Sequence, residues 1–222
     1  MSFYVSITTI QKYKVALDML IASLPEEWKN KYIIVYQDEP ENGITVFEDG
    51  HIEVRIKNNL SDYGNWIGVQ MLIDTNVVPK DAWFLFIHDT CKFVSNECAQ
   101  SVTNIINAHN ELDVDILWLC ANGQCNICLI RRQGITWGNN VYKDITYMTK
   151  QETVDYEWQH QNPRSPKSFP VPQKFINIPT QHLGGRYVYN NEHLRCVLLY
   201  RTIHMEKYYF FIRDTHPHPM SP

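Results

Sequence analysis

The sequence predicts an α/β domain with a central, mostly parallel sheet flanked by helices, and three observations carry that expectation. The first strand pattern, FYVSITT over 3–9, leads into a stretch where Ile10, Tyr13, Leu17, Leu20, Ile21 and Leu24 recur at helical spacing up to Pro25. A second apolar run, YIIVYQDE, completes a β-α-β unit, the arrangement that builds parallel sheets buried on both faces. Further on, AWFLFIHDT is a strongly apolar strand that turns polar at His88-Asp89-Thr90.

The elements between follow from local signals. ITVFEDGHIEVRI alternates apolar and polar residues around Asp49-Gly50, a dipeptide suited to a two-residue hairpin turn. Ser61 is placed to cap a helix that runs to about Thr75 and carries Tyr63, Trp66 and Ile67, with Pro79 ending the region. Ser95 is placed to cap the next helix, which has Cys98, Val102, Ile105 and Ile106 on one face, and the strands DILWLC and NICLIRR come after it. Past Trp137 the periodicity weakens. A short helix is expected around 150–160, a loop or flap over 161–186 containing QNPRSPKSFPVPQ, and a frayed tail at 213–222. One domain over 1–222, without internal repeats, is expected from the length.

Composition narrows the function classes. A chain of 222 residues, 44% of them hydrophobic, can bury a full core. Its formal charge of -4 and basic clusters no larger than pairs such as Arg131-Arg132 argue against a nucleic-acid partner. No apolar run approaches the roughly eighteen residues of a membrane span, and the N-terminus enters a strand without a charged leader, so a soluble cytoplasmic protein is expected. The cysteines at 91, 98, 120, 125, 128 and 196 lie mostly in apolar segments, as reduced core thiols do. A zinc site on Cys125 and Cys128 with Cys120 or His109 is the competing interpretation, but no second ligand pair follows at finger spacing.

The chemistry points first to Asp89. A carboxylate at the end of a buried strand is poised to hold a hard divalent cation against a diphosphate; the bland alternative is an aspartate that merely caps a turn. Strand-helix-strand over 3–36, the acidic end of the second strand, a helix opening with SDYGNW and the strand ending in His88-Asp89-Thr90 together resemble GT-A glycosyltransferases. The resemblance covers about residues 3–135 and is nearest to the small enzymes with which large DNA viruses glycosylate their capsid proteins; it implies a Rossmann-like GT-A domain. That family's acidic triplet is Asp-x-Asp, often followed by Thr. Here Asp89-Thr90 matches the second half, while Ile87 stands where the first aspartate would be.

The resemblance implies a hexosyltransferase-like enzyme that moves a sugar from a nucleotide-diphosphate donor to a glycan or glycoprotein acceptor with Mn2+ or Mg2+. For a viral protein the compartment would be the host cytoplasm. It implies Asp89 and His182 as metal ligands, with Arg186 on the diphosphate, because QHLGGRYVY resembles the late His-x-x-Gly-x-x-Lys element of some members. His204, His216 and His218 are rivals to His182. Thr8, Thr9 and Asp38 would line base and ribose, and Asp62, Tyr63, Asn65 and His88 would stand near ribose or donor sugar. For inversion a carboxylate must deprotonate the acceptor, and VDYEWQHQ offers Asp155 and Glu157. These point about 200° apart on a helix, so one faces the site, with Asp155 preferred. Trp137, Tyr156 and Trp158 are candidate platforms for an acceptor sugar.

Two rivals stand beside this expectation. A sugar nucleotidyltransferase needs a glycine-rich basic loop after strand one, and ITTIQKYK has no glycine. A binding module of the same fold that has lost turnover fits the incomplete Asp-x-Asp.

Overall fold

The computed structural model describes residues 2–60, 63–110, 112, 114–119, 127–141, 149, 151–152, 175–177, 189–191, 194–200 and 203–210. The opening unit is β1 (Phe3–Ile10), a single 3-10 turn over Gln11–Tyr13, α1 (Lys14–Ala22) and β2 (Tyr32–Gln37). There follow β3 (Gly43–Val46), β4 (Ile52–Arg55), α2 (Gly64–Asp74), β5 (Trp83–His88), β6 (Cys91–Phe93) and α3 (Glu97–His109). The remainder comprises β7 (Ile116–Trp118), β8 (Cys128–Arg131), α4 (Arg132–Val141), β9 (Phe175–Asn177), β10 (Tyr189–Asn191), β11 (Leu194–Tyr200) and β12 (Met205–Phe210).

Among the described residues the central sheet has eight strands in the order β3-β4-β2-β1-β5-β8-β7-β9. Within it β3 and β8 run against the others, so the sheet is mostly parallel, as expected. A second, antiparallel sheet of four strands, β10-β11-β12-β6, flanks it.

The pleat assigns each strand residue to one of two cores. Val5, Ile7, Ile34, Leu85 and Ile87 join Leu17 and Leu20 of α1, Cys98 and Val102 of α3, and Cys91, Phe93 and Met205 of the second sheet. Ile33, Val35, Ile52, Val54, Phe84 and Phe86 join Trp66, Val69 and Leu72 of α2 and Ile135 of α4. The result is three layers, with α1 and α3 on one face and α2 and α4 on the other.

Ser61, expected to cap a helix running to about Thr75, lies outside the described residues; α2 is described from Gly64, after Tyr63. Its first turns pack closely: a Cβ on Gly64 would lie 2.5 Å from Gln37 Nε2, and one on Gly68 would lie 2.8 Å from both Val35 methyls, so the glycines let α2 settle on β1 and β2. One local expectation is corrected. The hairpin turn is longer than two residues. Its loop spans Phe47 to His51, Gly50 alone of these taking a positive φ (93°), and is closed by Phe47 N donating to His51 O at 3.0 Å. The His51 ring stacks on Phe47 at 4.1 Å and on Tyr32 at 5.1 Å, which fixes the wider turn.

The helix-start bond expected at Ser95 is present. Ser95 Oγ accepts from Glu97 N at 3.1 Å at the start of α3. A helical turn begins at 151–152, where Thr149 Oγ1 accepts from Glu152 N (3.3 Å) and Glu152 Oε2 accepts from Thr149 N (2.7 Å), a reciprocal capping box. Those bonds also hold the Glu152 carboxyl below its ordinary pKa. Among the described residues no helix is long and apolar enough to cross a membrane.

Candidate functional site

β1 lies between β2 and β5. The chain leaves β1 through α1 to reach β2 on one side, and returns through α2 to reach β5 on the other. Crossovers that diverge in this way open a crevice at the carboxyl ends of the two strands, the topological switch point of an open α/β sheet. Thr9 and Asp89 stand at that point.

Thr9 Oγ1 donates to Asp89 Oδ2 at 2.6 Å, and Asp89 N donates to Thr8 O at 3.2 Å, so the end of β5 is bonded to the end of β1 by both side chain and backbone. Both side chains are nearly buried, Thr9 at 4% and Asp89 at 6% exposure. A buried carboxylate needs partners to offset its desolvation, and a short charge-assisted hydrogen bond is one.

The pleat separates the candidate residues. Thr9 and Asp89 continue the series Val5, Ile7 and Leu85, Ile87, and therefore lie on the α1 face. Thr8 and His88 lie on the α2 face, with Gln37 after Ile33 and Val35. There Gln37 Nε2 donates to Thr8 Oγ1 at 2.7 Å, and Gln37 Oε1 accepts from Leu60 N at 2.5 Å. Asn65, 1% exposed, accepts from Ser6 Oγ at 2.9 Å and donates to Ile87 O at 3.0 Å. Tyr63 and His88 are buried on the same side. The amide of Asn65 thus ties α2 to β1 and β5.

Asp38, one residue past β2, is exposed and has a φ of 61°, a left-handed conformation that aspartate tolerates better than most side chains. Asn59 Nδ2 donates to its Oδ2 at 2.8 Å, which fixes the carboxylate just past the end of β2. Beside it, Gln11 Nε2 donates to Glu39 Oε1 at 3.0 Å and joins the exits of β1 and β2. The sequence pattern did not single out Ser6, Gln37 or Asn59. The available signal was polarity at inward positions: Ser6 and Gln37 interrupt otherwise apolar strands on the face that carries Phe84 and Val35.

Asp62, Asp155, Glu157, His182 and Arg186 lie outside the described residues, as do Tyr156, Trp158, His216, His218 and all but 175–177 of the expected flap. His204 is described and is not brought to Asp89. Its carbonyl accepts from Val94 N at 2.9 Å and its Nε2 is 3.7 Å from Glu97 Oε2, beyond the far end of β6. Cys128 is buried in the α2-face core, and His109 Nδ1 contacts Ile105 O at 2.7 Å near the end of α3. Among the described residues no three His, Cys, Asp or Glu side chains converge on a metal position. Two clefts of about 620 and 450 Å3 flank the junction of α1, α3 and the Glu26–Trp28 turn, and neither is lined by Thr9 or Asp89.

No protein-family model and no curated protein matches the chain. Among solved structures it is similar to a glycosyltransferase involved in the glycosylation of the major capsid of PBCV-1, at 9% identity over 83% of this chain and 85% of that one, with a TM-score of 0.49.

Proposed function

We propose that this chain is a glycosyltransferase that seats a nucleotide-diphosphate sugar in the crevice between the ends of β1 and β5 and transfers the sugar to a glycan or glycoprotein. The observation that carries this reading is the Thr9–Asp89 hydrogen bond across the switch point. It fixes a carboxylate where a strand-end crevice receives the polar part of a ligand. Asp38, exposed at the neighbouring strand end and steadied by Asn59, is the group to accept hydrogen bonds from base or ribose.

A divalent cation fits this donor chemistry in part. Asp89 offers hard carboxylate oxygen, and a cation of this class keeps several positions for water and diphosphate. When bound it would supply counter-charge to the leaving diphosphate. In the proposal Asp89 holds that cation, with His182 as a second ligand and Arg186 on the diphosphate. Asp155 is the base for an inverting transfer, with Glu157 as its alternate.

Isothermal titration of the wild type with UDP-glucose, UDP-galactose, GDP-mannose and GDP-fucose, with and without manganese, tests the reading. One donor is expected to bind, with manganese strengthening it. Asp89→Asn should weaken that binding by about tenfold or more, equivalent to ~1.4 kcal/mol, with an unchanged circular dichroism spectrum. A wild type that binds none of these donors would overturn the proposal.

A further inference from the structure

We propose that Lys207 contacts the diphosphate of the donor beside Asp89, an inference that rests on the reading above. The antiparallel pairing of β12 with β6 sets Lys207 opposite Cys91, two residues beyond Asp89. The chain turns at Asp89-Thr90 and runs back towards the start of β1, where Phe93 and Phe3 both meet Trp28, so Cys91, and with it Lys207, stands nearer the level at which β5 ends. Cross-strand partners share a face. Cys91 and Met205 are in the core beneath α1, and alternation along β12 puts Lys207 on that same face, the face of Thr9 and Asp89.

The carboxylates of Asp18 and Glu26 are already paired, with Lys14 at 2.6 Å and Lys29 at 2.5 Å. The adjacent acid, Glu206, stands opposite Lys92 on the other face of the ladder. Lys207 is half-buried and, among the described residues, has no carboxylate within ion-pair distance. An ammonium partly withdrawn from water without a counter-ion gains from an anion placed beside it. Its compact charge and three donors suit phosphate oxygens, and its four-carbon stem gives it the reach from β12 to the crevice.

The test is titration of UDP, GDP, ADP and CDP into the wild type with manganese, with uridine, guanosine, adenosine and cytidine as phosphate-free controls. For the nucleotide that binds, Lys207→Met should lower affinity by about tenfold while affinity for its nucleoside changes by less than about twofold. Lys207→Arg should keep most of the affinity because it keeps the charge. Thermal melts identify a variant that has lost its fold, and Lys207→Gln then replaces Lys207→Met. Equal diphosphate affinities for the wild type and the neutral variant overturn this inference alone. A wild type that binds none of the four nucleotides overturns the glycosyltransferase reading itself.

Discussion

Gln37 donates from Nε2 to Thr8 Oγ1 at 2.7 Å directly beneath Gly64, the first residue of α2. Because the other end of the same amide accepts from Leu60 N at 2.5 Å, Gln37 joins two strand ends and the segment entering α2. The absence of a side chain at residue 64 is therefore a packing requirement.

Gly64→Ala tests this. The added methyl would lie 2.5 Å from Gln37 Nε2 and 2.7 Å from Thr8 Oγ1, and an amide held at both ends has little room to yield. The overpacking cost of about 1–3 kcal/mol should outweigh the ~1 kcal/mol gained in helix propensity. The melting temperature should fall, by about 2–4 °C for each net kcal/mol. A melting temperature at or above the wild-type value would mean that Gln37 swings aside.

Asn65→Ala should be costlier than its volume suggests, since it leaves the buried Ser6 hydroxyl and the Ile87 carbonyl without their partner. A loss of about 1–3 kcal/mol per stranded group is the expected scale. Ser6→Ala should then cost less in the Asn65→Ala background than in the wild type, as read from urea unfolding midpoints. Strictly additive costs would show that the two side chains do not depend on each other.

Tyr36 gives a prediction in alkali. Burial first, then the charges of Glu53, Asp18 and Glu39, push its phenol up from 10.0 to about 12. The unfolded chain ionises this group at the lower pH, so its contribution to stability is complete below 10.0 and is lost as pH climbs towards 12. A spectrophotometric titration of phenolate should lose its latest component in Tyr36→Phe, and the decline of stability in that window should be shallower. A wild-type-minus-variant difference that titrates near 10.0 would remove burial as the cause.

Much of the sheet was legible because its strands are short apolar runs bounded by clear breaks. β1, α1, β2 and β5 fall where the periodicity put them, and Asp89 stands at the end of β5. The division of the site between two faces was not legible. WFLFIHD is apolar through five successive residues, so polarity gives no hint that Phe86 and His88 face α2 while Ile87 and Asp89 face α1; the register with β1 decides it. The seating of α2 was not legible for a related reason: the close fit of Gly64 and Gly68 against Gln37 and Val35 is a contact between residues far apart in sequence. Gln37 escaped notice because a glutamine at a strand end has no pattern until Leu60 and Thr8 are brought beside it.

The pairing of β6 with β12 has a consequence for the order of assembly. Cys91 and Phe93 find their ladder partners in Lys207 and Met205, so β6 gains its neighbour only after β7, β8 and α4 have been threaded. Closing so long a loop carries an entropic cost, which makes this pairing one of the slower steps a growing chain faces. Until then the strand that leaves Asp89 presents an unpaired edge, held to the rest of the fold by the bond from Phe93 N to Ser23 Oγ at 3.0 Å and by its side chains against α1. The flank beside Asp89 is thus paired later in synthesis than the strands that carry Thr9 and Asp89, whose neighbours β2 and β8 precede β12 in the chain.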